Sequence, residues 1–312
     1  MEYKKLLNMG VGTLATGFLL MGAQAEAKTV QVTINAVETD VVYDNKGSTY
    51  RAWTFDGKVP GTVVRVTEGD VVEFTLVNNK ENKNSHSMDF HAARVDVMED
   101  FDSVKPGETK KYTFSADNPG VFFYHCGSDP MIQHIARGMY GVIIVDPKDP
   151  GALPKADREY VLIQAEHYEN PDDKTAMMQN KWSNVVFNGG IFKYDPVHDS
   201  EATKWLQAKP GERVRIYFVN AGPNEFSSLH PIAGIWDQVH PSGNPKNTLY
   251  AMQSYVIGPG DAASMDLISP VEGANAIVDH SMYHAMSGAV AVIMFSNEAD
   301  PEAGRGDNIL LR

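Results

Sequence analysis

The chain has 312 residues, of which 43% are hydrophobic, 10% aromatic and 21% charged, with ten histidines and a single cysteine. At roughly 150 residues per domain, that length suits two domains, each with its own core, and the composition excludes disorder, collagen and coiled coil. A formal net charge of −13 argues against a nucleic-acid partner, which needs a basic surface. One thiol permits neither an internal disulfide nor a CxxC metal site.

Residues 1–25 read as a secretory signal peptide. Lys4 and Lys5 precede an uncharged, mostly apolar stretch at 9–22, and Ala23-Gln24-Ala25 fits the A-x-A cleavage pattern. The stretch is shorter than the ~20 apolar residues of a membrane span, and no later segment offers one. The mature protein is therefore expected to be exported, to the periplasm or the extracytoplasmic face, with no membrane span after cleavage. Exported proteins usually pair their cysteines, so the lone Cys126 is expected to be buried and inert, intermolecular, or held by something else.

Strand signals dominate the mature chain. Val72, Phe74 and Leu76 alternate with Glu73, Thr75 and Val77, and Val214, Ile216 and Phe218 alternate with Arg215, Tyr217 and Val219. Such period-2 segments predict half-buried strands and an all-β sandwich class. One short helix is expected within 172–182.

The chain also repeats itself. Glu68-Gly69-Asp70 leads through a strand to Asn78, and Pro210-Gly211-Glu212 leads through a strand to Asn220. Lys105-Pro106-Gly107-Glu108 precedes His125, as Gly258-Pro259-Gly260-Asp261 precedes His280. The repeat implies two tandem β-sandwich domains, at 26–147 and 159–312, joined by a Pro- and Gly-containing linker at 148–158.

The chemistry gathers around Cys126. His134 lies eight residues beyond it and Met139 five further on. A loop that folds back brings thiolate, imidazole and thioether to one ion, and an upstream histidine completes His₂Cys with a weak axial Met, the donor set of a copper electron-transfer site. Cys126 alone would read as a small buried hydrophobe. His125 and Cys126, adjacent on a strand, should point to opposite faces, and so should His86 and His91, five apart. The partition that results is His86 with Cys126, and His91 with His125. His280, at the repeat position expected to match His125, is the candidate third imidazole. Three histidines with an open position also suit catalytic zinc. The peptide bond between His125 and Cys126 favours redox chemistry, because it wires one metal to the other.

With these motifs in place, the sequence resembles the two-domain, copper-containing dissimilatory nitrite reductases of the cupredoxin superfamily. The likeness is carried by His86-x-x-Asp89-x-His91, His125-Cys126, His134-x4-Met139, Ser227-Ser228-Leu229-His230-Pro231-Ile232 and Val278-Asp279-His280-Ser281. It implies tandem cupredoxin-like Greek-key sandwiches assembled as a homotrimer, with two copper ions per subunit and no flavin or nicotinamide. It assigns His86, Cys126, His134 and Met139 to a type 1 copper, and His91, His125 and His280 to a type 2 copper. Asp89 and His230 match the family's acid/base pair, and Ile232 matches the residue shaping the substrate pocket. In such a trimer His91, His125 and Asp89 of one chain would meet His280, His230 and Ile232 of the next. The implied reaction is one-electron reduction of nitrite to nitric oxide and water, with a small cupredoxin or a c-type cytochrome as electron donor. Two departures stand out: only seven residues, 127–133, separate Cys126 from His134, and Pro231 follows His230 where a small aliphatic residue is expected. His167, His198, His240 and His284 read as surface or structural.

Other classes explain less. A two-domain multicopper oxidase of laccase type needs His-x-His pairs and a His-Cys-His, and the chain has none. A non-catalytic cupredoxin carrier leaves His91, His125 and His280 idle. A zinc hydrolase leaves Cys126, His134 and Met139 without a role.

Overall fold

A computed structural model describes residues 27–309, so the expected signal peptide lies outside the described residues. The architecture is all-β, built from four sheets stacked face to face. Two sheets draw their strands from the first half of the chain. One is four-stranded and includes Thr29–Val42, Thr49–Phe55, Val71–Asn78 and Thr109–Ser115. The other includes Val64–Thr67, Asp89–Phe90, Gly120–His125 and Tyr140–Asp146. The second half supplies a six-stranded and a five-stranded sheet. Parallel pairing of Thr29–Val42 with Val71–Asn78, and of Arg158–His167 with Arg213–Asn220, repeats the same topology in each half.

Three apolar layers hold the stack together, and their sequence logic is strand alternation. Along Gly120–His125, Tyr124 enters the core of the first pair of sheets, whereas Val121 and Phe123 enter a core shared with the second pair. Ile143 and Val145 face the first core, and Val142 and Ile144 face the shared one. This explains the continuous run Val142-Ile143-Ile144-Val145: a strand buried on both faces needs no polar side.

The same geometry corrects one expectation. Val71–Asn78 is half-buried as its alternation predicts, but Arg213–Asn220 is buried on both faces. Val214, Ile216 and Phe218 fill the second core, and Tyr217 and Val219 fill the shared layer. Arg215 is tolerated there because Asp266 accepts from it at 2.7 and 2.8 Å, so the buried charge is paired.

Helices are short and sit at strand ends. Lys174–Met178 is the one expected within 172–182. Met131–Ala136 and Met282–Ser287 are not legible from hydrophobic period, because each is barely more than one turn. Among the described residues no helix is long and apolar enough to cross a membrane.

Candidate metal centres

The first donor group forms where the strand Gly120–His125 ends. Cys126 continues the ladder by donating its N–H to the Met139 carbonyl at 3.1 Å, and Met139 N–H donates to the His134 carbonyl at 3.1 Å. The seven residues after Cys126 are partly wound into the helix Met131–Ala136, which carries His134 back over the thiol. His86 arrives on a single bridge to Val104. The result is compact: Cys126 Sγ lies 3.1 Å from His134 Nδ1 and 4.0 Å from His86 Nδ1, and the two Nδ1 atoms are 3.3 Å apart. All three side chains are buried, and Met139 shares their core.

The surroundings suit a thiolate. Burial would push the Cys126 thiol up, but His134 and His86 outweigh it and hold it well below the usual thiol range. Ser87 N–H donates to Sγ at 3.3 Å. Glu38 sets its carboxylate 3.4 Å from His86 Nε2, and Trp53 packs against His134 with ring centroids 4.5 Å apart. Reading the sequence alone misses Glu38 and Trp53, since both come from strands remote from the motif. A soft sulfur with two imidazoles, sealed from water, fits copper in either oxidation state.

The second group lies on the other side of the same strand end. His125 Nε2 is 3.3 Å from Asp89 Oδ2, His91 Nε2 is 4.0 Å from it, and the His91 and His125 rings are 5.4 Å apart. His125 is fixed by its Nδ1, 3.0 Å from the Cys126 carbonyl oxygen, which leaves Nε2 for a metal. Burial pushes the Asp89 carboxyl up, but the His125 hydrogen bond and the two imidazoles outweigh it and hold it below its ordinary value. Burial and the His125 charge lower His91. The expected partition of histidines therefore appears, though for a different reason than a continuous strand. Only Asp89–Phe90 is strand, and His86 and His91 sit on separate irregular segments.

His280 and His230 form a third grouping, with rings 5.2 Å apart. Neither belongs to the Asp89, His91, His125 cluster of the same chain. His230 Nδ1 lies 2.5 Å from the Gln253 carbonyl oxygen. Ile232 is exposed beside them. Pro231 sits where the strand Ser227–Ile232 has run past its neighbour Tyr255–Ile257, so its missing N–H costs no ladder bond on that edge.

The repeat equivalence expected for His280 does not hold. Asp279 N–H donates to the Ala289 carbonyl as Cys126 N–H does to Met139. Val278 therefore corresponds to His125, and His280 to Gly127. Val278 lies 18 residues beyond Gly260, as His125 lies 18 beyond Gly107, so the residue count agrees with the ladder.

A multicopper oxidase family model matches residues 36–150. The copper-containing nitrite reductase of Neisseria meningitidis serogroup A is 36% identical over 286 residues, covering 88% of this chain and 71% of that one. The solved copper nitrite reductase of Nitrosomonas europaea is 88% identical with a TM-score of 0.91, covering 91% of this chain and all of that one.

The chain belongs to the copper-containing nitrite reductases.

Copper-containing nitrite reductases are oxidoreductases, and type 1 and type 2 copper are the cofactors that this membership brings. A blue copper oxidase from Nitrosomonas europaea is 21% identical with a TM-score of 0.73 over 90% of this chain and 94% of that one. That distance shows a shared fold alone.

Proposed function

We propose that this protein reduces nitrite to nitric oxide and water, taking up one electron and two protons per turnover. The observation that carries the reading is the pair His125–Cys126. Adjacent in sequence, they serve two separate donor groups, one sealed and sulfur-rich, the other polar and half-exposed. A single peptide unit therefore links an electron-receiving site to a substrate site.

His86, Cys126, His134 and Met139 would hold the type 1 copper, and His91, His125 and His280 the type 2 copper. Copper bound there supplies one-electron redox chemistry and a Lewis-acid position for an anion. The chain's own residues do the rest. Asp89, ionised and half-buried beside His125, can accept a hydrogen bond from protonated nitrite and carry a proton to the departing oxygen. His230, an imidazole with Nδ1 bound to the Gln253 carbonyl oxygen, presents its Nε2 as a second proton carrier. Ile232 offers an apolar wall that limits the pocket to a small anion.

The reading includes a homotrimer. His230 and His280 stand apart from Asp89, His91 and His125 within one chain, and Phe226, Ile232, Tyr250 and Val256 expose apolar side chains in the same region. Both facts support a neighbouring copy of this chain completing each site. The units at 26–147 and 159–312, joined at 148–158, would then be the domains facing each other across that boundary. Export through the segment 1–25, a periplasmic location, a role in denitrification, and a small cupredoxin or c-type cytochrome donor belong to the same proposal.

Copper analysis with EPR, combined with nitric oxide detection from nitrite and an artificial reductant, tests it. Two distinct Cu(II) signals per chain and nitrite-dependent nitric oxide are expected. Zinc at the second site of native protein, with no nitric oxide, would overturn it.

A further inference from the structure

The second half of the chain contains a counterpart of the Cys126 cage, position for position. Asp279 N–H donates to the Ala289 carbonyl at 3.2 Å, and Ala289 N–H donates to the His284 carbonyl at 3.1 Å, matching Cys126, Met139 and His134. The helix Met282–Ser287 stands where Met131–Ala136 stands, and each is followed by a glycine at positive φ, Gly288 at 138° and Gly138 at 109°. Ser228 N–H donates to Asp279 Oδ1 at 2.9 Å, as Ser87 N–H donates to Cys126 Sγ. His284 Nδ1 lies 2.6 Å from Asp279 Oδ2, as His134 Nδ1 lies 3.1 Å from Cys126 Sγ. Ser227 occupies the place of His86. Of the four donors only His284 is retained, and thiolate and thioether have become carboxylate and methyl.

We infer that Asp279, the residue in the thiolate's place, is a positioning residue that clamps His280 and His230 for the type 2 site. Asp279 is fully buried and uses both oxygens. Its Oδ1 accepts from Ser228 N–H at 2.9 Å and from Ser281 N–H at 3.0 Å; its Oδ2 accepts from Gln164 Nε2 at 2.9 Å and faces His284. The two backbone donors lie on either side of the exposed ligand candidate: Ser281 follows His280, and Ser228 begins the strand segment that reaches His230. His280 N–H closes the loop by donating to the Ser228 carbonyl at 2.7 Å. One buried carboxylate thus holds the main chain of both imidazoles, while their rings point outward, where a neighbouring chain can complete the site. A cage no longer able to hold metal has kept its rigidity, and the rigidity serves the metal next door.

This inference rests on the assignment of His280 to the type 2 copper. Asp279→Ala removes the clamp. Copper per chain should fall from two toward one, the type 2 EPR signal should weaken or shift, and KM for nitrite should rise at least about tenfold. The visible type 1 absorption should persist. Asp279→Asn keeps an acceptor oxygen toward Ser228 and Ser281 and should retain the type 2 copper, with KM within about threefold of wild type. A folded Asp279→Ala variant with both coppers and unchanged KM would overturn the clamp, and so would equal loss of both coppers. Should the alanine variant not fold, Asp279→Asn decides: selective loss of its type 2 copper overturns the assignment to Oδ1. Wild-type protein that holds two coppers yet makes no nitric oxide would defeat the nitrite reading and leave this one standing.

Discussion

Glu38 and Glu166 occupy equivalent positions and show what a partner does to a buried carboxylate. Each accepts two backbone N–H groups from the equivalent turn, Lys83 and Asn84 in one case, Asn224 and Glu225 in the other. Burial opposes ionisation of Glu38, but His86 and Asn84 outweigh it and lower its carboxyl to about 2. Ser227 stands in the place of His86, so Glu166 has no imidazole there; its Oε2 is buried without a hydrogen-bond partner, and burial raises its carboxyl from 4.5 to about 7. A folded-state value above the ordinary one favours the neutral acid in the fold. Its contribution to stability is complete below about pH 4.5 and is lost as pH rises through about 7. Glu166→Gln should therefore raise the melting temperature at pH 8 and leave it unchanged at pH 4, with a gain of at most about 3 kcal/mol. Thermal unfolding across that range checks it, and identical curves would refute it. At the sites, Cys126→Ala should abolish the visible colour. Asp89→Asn should keep the colour and lower kcat by about 10²–10³, since the amide cannot carry a proton. Absorption spectra and steady-state kinetics separate the two.

At the scale of elements, the helix Met131–Ala136 and the glycine after it decide whether His134 reaches Cys126. No side chain caps this helix, whose N-cap is Pro130, so packing and the turn at Gly138 hold it. A Cβ at Gly138 would lie 2.4 Å from Val59 Cγ2, in a backbone conformation that L side chains rarely adopt. Gly138→Ala should cost at least about 2 kcal/mol and diminish the type 1 absorption, because Met139 comes directly after it. Unfolding midpoints and spectra of the copper-loaded protein test both effects. Much of this site is legible in the sequence: Cys126, His134 and Met139 share one short segment, and adjacent strand residues face opposite ways. Glu38, Trp53 and Asp279 are not. Their roles depend on which strands pair and on which face each side chain takes.

For the whole molecule, the shared layer ties the two halves into one stack. Tyr217 and Val219 meet Val121 and Phe123 there, and Arg65 bridges Asp146 and Glu159 at 2.7 Å each. The arrangement of His230 and His280 apart from His91 and His125 makes assembly testable by complementation. His91→Ala and His280→Ala are each expected to be inactive. Unfolded, mixed in equal amounts and refolded together with copper, they should recover roughly a quarter of wild-type activity, since a mixed trimer contains one site with both histidines intact. Recovery requires sites built between chains; its absence, in trimers shown to be mixed by an affinity tag carried on one variant only, would place each site within one chain.

The sequence by itself determined the all-β class, the repeat and the donor residues, because these depend on local properties: a period of two, recurring turn motifs, and side-chain chemistry at short spacing. It could not show that Arg213–Asn220 is buried on both faces, since that depends on a second sheet packing against it. Nor could it show that Asp279 is buried with the Ser228 and Ser281 N–H groups donating to it, since Ser228 lies on a separate strand. Matching histidine to histidine sets His280 opposite His125, whereas equal counts of 18 residues from Gly107 and Gly260 reach His125 and Val278. The hydrogen bond from Asp279 to Ala289 decides for Val278, because equivalence in a sandwich is set by ladder register and not by a shared residue type.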